Sequence, residues 1–414
     1  MTRLIIRNAN LYTPLGSKAK CGSKMGDILH VQNAVIVADD GVIVYAGDEA
    51  EMPALSDDAD QEIALDAAGR AVIPGFVDSH THLIFGGYRP EEFSWRLKGD
   101  TYMSIMERGG GIQSTVNATR GMSVEEMASK ALWFLDRMLE MGVTTVEAKS
   151  GYGLDKETEL RMLEALRLLA EDEENKVDIV PTFLGAHAVP AEYKGRTGEY
   201  VDFLIREVLP EASRLAEFFD IFTEKNVFEI EDSRRMLQAA ADSGMKLKLH
   251  ADEIVQLGGA ELAAECRAVS ADHLLHVSDA GIKAMAEAGT VATLLPLTAF
   301  ALKEEYAPAR KFIDAGCAVA LATDLNPGSC FSGSIPLTIA LACIYMKMSV
   351  SETLTALTLN GAAAVDRADS IGSIEPGKRA DILILHFDTL DTLPYYVGMN
   401  CVDKVIKNGD PVSV

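Results

Sequence analysis

The chain has 414 residues, 48% of them hydrophobic, with 62 acidic against 38 basic side chains and a net charge of −24. That balance argues against a general binder of nucleic acid or of anionic membrane, and an anionic small molecule would need local basic groups. Six scattered cysteines (Cys21, Cys266, Cys317, Cys330, Cys343, Cys401) form no Cys-x-x-Cys motif, which predicts reduced thiols in a cytoplasm.

Residues 1–66 read as short strands and turns. Leu4-Ile5-Ile6, Val35-Ile36-Val37 and Val42-Ile43-Val44-Tyr45-Ala46 are strand-like, and Asp39-Asp40-Gly41 supplies a hairpin turn. The opening residues lack the long apolar core of a signal peptide. Residues 67–368 alternate. Strand-like runs fall at 71–78, 143–148, 177–184, 218–223, 246–250, 269–273, 291–295 and 319–322. Helix-like segments lie between most of them, for example 124–141, 155–170, 200–212 and 232–243. Apolar runs at 291–302 and 335–346 are too short to span a bilayer, so no membrane partner is expected. Residues 369–414 return to strands and turns, with Asp381-Ile382-Leu383-Ile384-Leu385 and Val402-Asp403-Lys404-Val405-Ile406 as strands. Neither end has enough strands for a stable sheet alone. The pattern predicts an α/β protein: a (β/α)8 TIM barrel with a small β-sandwich domain built from both chain ends.

In such barrels chemistry sits where the strands end. The first strand ends in His80-Thr81-His82, where side chains two residues apart face the same way. The third ends in His187, the fifth in His250-Ala251-Asp252-Glu253, the sixth in Asp272-His273 with His276 beyond, and the eighth in Thr323-Asp324. His80, His82, His250 and Asp324 would give a divalent transition ion four protein ligands. Zinc is the first expectation and iron the second. Asp324 can instead, or in addition, hydrogen-bond the coordinated water. Glu253 can shuttle a proton, and His273 can orient water or stabilise an oxyanion. His276 reads as structural.

With these residues in hand, the chain resembles the amidohydrolase superfamily over nearly its full length, through PGFVDSHTH, His250, His273, Asp324 and the closing GSIEPGKRADILIL. HTHLIFGGYRPEEF, GGGIQSTVNATR, TTVEAKSGYGL, TFLGAHAVP, KLHADE and ATDLNPGS are similar to the imidazolonepropionase family within it. The resemblance implies hydrolysis of 4-imidazolone-5-propanoate to N-formimidoyl-L-glutamate in histidine degradation, by attack of a metal-bound hydroxide on the ring carbonyl. It implies metal binding by His80, His82, His250 and Asp324, and substrate contacts from Arg89, Tyr152, His187, Glu253, Asn326, Gly328 and Ser329. A homodimer is the family-level expectation.

Arg89 suits a bidentate grip on the substrate carboxylate. Gly109-Gly110-Gly111 can form a lid or let backbone approach the ligand, and Lys225 falls near the region where dinuclear relatives carry a modified lysine. The motif around Lys225 favours a single metal. Two rival readings stand beside this one. One is a metal-dependent deaminase of a cyclic amidine; the other is a catalytically silent scaffold, which would not need four ligands.

Overall fold

The computed structural model describes residues 1–55, 59–100, 108 and 110–412. Both chain ends enter one eight-stranded sheet. From the N-terminal side come β1 (Thr2–Pro14), β2 (Ile28–Asp39), β3 (Val42–Asp48), β4 (Gln61–Asp66) and β5 (Ala71–Pro74). The last part of the chain adds three more strands, Ile382–Leu385, Val402–Lys407 and Asp410–Val412. The β2–β3 hairpin turns at Asp40 and Gly41, both at positive φ (45° and 80°), the backbone required by a two-residue turn that matches strand twist. Ile382–Leu385 pairs antiparallel with β5, which also pairs parallel with β1, so the two ends interlock. Leu4, Ile6, Leu11, Ile36, Ile382 and Ile406 form the core of this small domain.

The predicted strand over 71–78 is divided. Ala71–Pro74 belongs to the small sheet, and the chain crosses at Gly75 into β6 (Phe76–Thr81), the first barrel strand. The apolar run is continuous across the junction, which hid the break. Gly75 is required there, because a Cβ would meet Thr144 Oγ1 at 2.3 Å.

The barrel strands follow as β7 (Val143–Lys149), β8 (Asp178–Ala186), β9 (Phe218–Thr223), β10 (Lys246–Ala251), β11 (Ser270–His273), β12 (Val291–Leu294) and β13 (Val319–Leu321). Neighbours pair in parallel in sequence order. The circle closes just past β13. Thr81 bridges Leu325, Asp324 N donates to His80 O at 3.0 Å, and His82 N donates to Leu325 O at 2.9 Å. Thr323 adds its own N–H and hydroxyl to the Asp78 carboxyl, at 3.0 and 2.6 Å. The closure therefore fixes Asp324 directly against the His-x-His strand.

Helices cover the barrel as their apolar spacing requires. Over Val124–Glu140, Met127, Ala131, Phe134, Leu135 and Met138 are buried on one face, and Ser123 with Glu126 forms a capping box at its start. Each large buried side chain contributes roughly 1.5–3 kcal/mol relative to exposure. The predicted helix over 200–212 is interrupted. Thr197–Phe203 passes into a π-helical stretch, Leu204–Val208, before Leu209–Ala212 resumes. Pro210 is the physical reason: its ring has no N–H for the i−4 bond and crowds that carbonyl, and the helix widens before it. Among the described residues no helix is long and apolar enough to cross a membrane.

Candidate active site

His80, His82, His250 and Asp324 are all buried at the C-terminal rim of the barrel. His82 Nε2 lies 3.4 Å from His250 Nε2 and 3.5 Å from Asp324 Oδ1, and His80 Nε2 lies 3.7 Å from the same oxygen. Ligands ~2.0–2.1 Å from a tetrahedral zinc are about 3.3–3.4 Å apart, so these separations are close to the edges of a coordination polyhedron. His80 Nε2 and Asp324 Oδ1 are buried without hydrogen-bond partners, an expensive state that an ion would relieve. Asp324 sits at φ 54°, a conformation a non-glycine residue adopts when its surroundings hold it there. The donor set fits a transition metal.

A second ring of carboxylates aims the imidazoles. His80 Nδ1 is 2.6 Å from Asp272 Oδ2, and His250 Nδ1 is 3.1 Å from the Asp220 carboxylate. With Nδ1 donating to a carboxylate, Nε2 turns its lone pair toward the site. Thr298 Oγ1 donates to Asp324 Oδ2 at 2.6 Å and leaves Oδ1 to face the histidines. Burial drives His80 and His82 well below the usual imidazole range, and the charges of neighbouring groups add to it, so both are neutral as metal ligands require. Burial also pulls His250 down, but the Asp220 charge and hydrogen bond outweigh it and its pKa is raised.

Above the cluster opens a cavity of ≈ 590 Å³, lined among others by His82, Arg89, Tyr152, His187, Glu253 and Asn326. A larger crevice of ≈ 1010 Å³ lies elsewhere, beside Asp178, Arg367 and Arg379, and no histidine lines it. Glu253 is mostly buried, and its Oε2 is 3.5 Å from His273 Nε2. Burial, helped by the Asp324 charge, pushes Glu253 up to about 8. Burial also takes His273 well below its ordinary value and His187 down to about 3. The His187 ring stacks on His82 with centroids 4.9 Å apart, and its Nδ1 donates to Gly151 O at 3.0 Å. Tyr152 packs beside both rings. Arg89 precedes the helix Pro90–Leu97; its buried Nε has no partner among the described residues, and Glu92 stands 3.8 Å from its Nη1.

The loop after β13 is folded around Asn326. Its Oδ1 accepts from Gly328 N and Ser329 N, both at 2.8 Å, and its Nδ2 donates to Asp324 O at 2.8 Å and to Ser329 Oγ at 2.9 Å. Asn326 thus organises the loop that presents Gly328 and Ser329. His273, expected to orient water or stabilise an oxyanion, has a ring nitrogen within 4.8 Å of ligand atoms on His80 and His250.

Two other residues lie away from the cluster. His276 is exposed, on a loop where its N–H donates to Asp252 O. Lys225 is exposed in the turn after β9, whereas Lys149, at the end of β7, is fully buried beside the cluster. Gly109 of the triple glycine lies outside the described residues; Gly111 lines the cavity. Asp220, Glu147 and Lys149 carry no metal-motif spacing. A single charge inside the apolar run Phe218-Phe219-Asp220-Ile221 was the one available signal for Asp220.

Residues 71–412 match the amidohydrolase family. The chain is 63% identical over 412 residues to an imidazolonepropionase of Bacteroides thetaiotaomicron, covering 98% of each chain. It is 54% identical to an imidazolonepropionase of Clostridium tetani, over 99% of this chain and 98% of that one. The fold is shared with a 5-methylcytosine deaminase of Klebsiella pneumoniae (TM-score 0.74, 18% identity, 99% and 97% coverage). It is shared too with an adenosine deaminase of Xanthomonas campestris with bound zinc (TM-score 0.68, 20% identity, 99% and 92% coverage).

Proposed function

The chain belongs to the amidohydrolase family and, within it, to the imidazolonepropionases, and from that membership we propose how its rim residues carry out the reaction. The enzyme is a hydrolase that opens the ring of 4-imidazolone-5-propanoate to N-formimidoyl-L-glutamate in histidine degradation. The observation that carries this reading is the meeting of three imidazoles and Asp324 beneath a cavity that also holds the Arg89 guanidinium, whose buried Nε has no partner among the described residues.

His80, His82, His250 and Asp324 would hold the metal, zinc in preference to iron. When bound, the ion supplies Lewis acidity and brings the pKa of a coordinated water toward ~7. Arg89 grips the propionate through its fork, with Tyr152 donating to the same anion. His187, with Nδ1 committed to Gly151, offers Nε2 to the ring as an acceptor. Ser329 contributes its hydroxyl, and Gly328 contributes room. Glu253 relays a proton from the attacking water to the departing ring nitrogen, and the neutral His273 donates a hydrogen bond to the developing oxyanion. The elevated pKa of Glu253 suits a group that must both take and give a proton near neutrality. We place the enzyme in the cytoplasm as a homodimer, in keeping with its six free cysteines and with the family expectation.

Incubation with freshly generated 4-imidazolone-5-propanoate tests the assignment. Ring absorbance should fall as formimidoylglutamate appears, without ammonia. Stoichiometric ammonia from a cyclic amidine, with the imidazolone left untouched, would move the enzyme to the deaminase reading.

A further inference from the structure

We propose that Lys149 is a positioning residue whose ammonium ties together the two strands that present the His-x-His pair and His250. The inference rests on the metal reading of the site. Lys149 is fully buried, although nothing in the reaction asks for an amine. Its Nζ is 2.7 Å from Glu147 Oε1 and 2.8 Å from Asp220 Oδ2. Each carboxylate then reaches a different half of the cluster. Asp220 meets His250 Nδ1 at 3.1 Å. Glu147 Oε2 accepts from the backbone N–H of Thr81, the residue between His80 and His82, at 3.2 Å, and Thr81 Oγ1 donates to Glu147 O at 2.8 Å. One cation thereby links β6, β7 and β9 with the imidazole on β10.

The other ligand with a carboxylate partner repeats the arrangement. His80 meets Asp272; Ser270 Oγ donates to Asp272 Oδ1 at 2.7 Å; and Lys248 Nζ donates to Ser270 Oγ at 2.7 Å and stands 3.7 Å from Asp272 Oδ2. Two imidazoles are therefore backed by a carboxylate, and each carboxylate by a buried lysine. A buried carboxylate without a countercharge is costly and drifts toward whatever donor it can find. Burial alone would depress the Lys149 pKa, but the charges of Asp220 and Glu147 overturn that and keep it protonated. Both Asp220 oxygens stand 3.1 Å from His250 Nδ1; the Ile221 N–H holds Oδ1 at 2.7 Å and Lys149 holds Oδ2 at 2.8 Å, and together they set the orientation in which the carboxylate accepts from His250. A carboxylate freed of that restraint no longer dictates which ring nitrogen of His250 faces the site.

Zinc titrated into the metal-stripped full chain against a chromophoric chelator decides the matter. K149M should bind zinc ~10–100-fold more weakly than the parent, the usual effect of losing an outer-shell partner. E147Q, which leaves the Lys149–Asp220 pair intact, should lose less. E147Q/K149M removes the second buried acid together with the lysine and so relieves the folding penalty; its zinc affinity should stay as low as that of K149M. Ring-nitrogen NMR of the apo form should report the Nδ1–H tautomer of His250 in the parent and a mixture in both lysine variants. Zinc affinity within twofold of the parent in either folded lysine variant, with the tautomer unchanged, would overturn the proposal. A parent chain that binds no zinc would instead remove the metal reading on which it rests.

Discussion

The guanidinium of Arg89 lies against the α-carbon of Gly328, so closely that a methyl group there would stand 2.3 Å from Nη2. The obstruction is steric, since Gly328 is not among the residues at positive φ. Arg96, one helical segment further on, donates to Gly328 O at 3.0 Å and holds the same loop. Gly328→Ala should therefore fold normally and displace the arginine tip. The expected outcome is a KM for the propionate substrate raised about tenfold, the loss of roughly one charged hydrogen bond, with kcat changed much less. Steady-state kinetics on the zinc-loaded variant reads both constants.

Arg89→Ala removes the grip itself. A charge-assisted bidentate contact of about 1.5–3 kcal/mol corresponds to a KM increase of roughly 10- to 100-fold. Arg89→Lys should recover only part of it, because an ammonium cannot reproduce the planar fork. An unchanged KM in Arg89→Ala would remove the carboxylate clamp from the mechanism.

Glu253→Gln keeps the shape of the side chain and abolishes proton relay. The expected loss in kcat is about 10²- to 10⁴-fold. Metal content, measured by atomic absorption on the same sample, should remain at the parent level, since Glu253 is outside the ligand set. Full turnover with metal bound would dismiss the shuttle.

The metal-free protein should lose stability as pH rises from about 7 to 8.5. Glu253, raised to about 8, and Asp78, raised to about 7 chiefly by burial, hold protons in the fold that the unfolded chain has already released, given a model carboxyl pKa of ~4. More protons bound in the native state means that unfolding becomes easier as pH rises. His250, whose folded pKa is raised, acts in the same direction, stabilising below the unfolded value of ~6.5 and losing that effect as pH climbs through its folded value. The depressed His80, His82, His187 and His273 act oppositely, but their contribution is half developed at the unfolded value of ~6.5 and nearly complete by pH ~7.5. Thermal melts of chelator-treated protein at pH 7 and 8.5 should show a lower Tm at the higher pH. Zinc should raise Tm more at the higher pH, because its ligands bind deprotonated. A Tm rising steadily through this window in the metal-free chain would contradict the assignment.

Much of the site could be read before any coordinates, because strand ends carry their chemistry in short stretches. His80 and His82 share a face by simple alternation, and His250 and Asp324 follow apolar strands of their own. What stayed hidden depends on register between strands. Nothing local to Lys149 says that its neighbour across the barrel is Asp220 on β9, two strands away, or that Glu147 supports the backbone of Thr81. The exposed Lys225 looked more suggestive only because it stood close to an expected position in sequence. The division of the 71–78 strand was obscured for a related reason: both halves are buried, in different sheets, so hydropathy does not change at Gly75.

That crossing at Gly75 also sets an order in time. β5, joined to the His-x-His strand through a single residue, pairs on one side with β1 and on the other with Ile382–Leu385. During synthesis the second partner leaves the ribosome only after every barrel strand. Until it arrives, β5 presents an open edge. A nascent chain stalled before residue 382 would therefore carry that open edge and be a client for chaperones, even with every barrel strand already made.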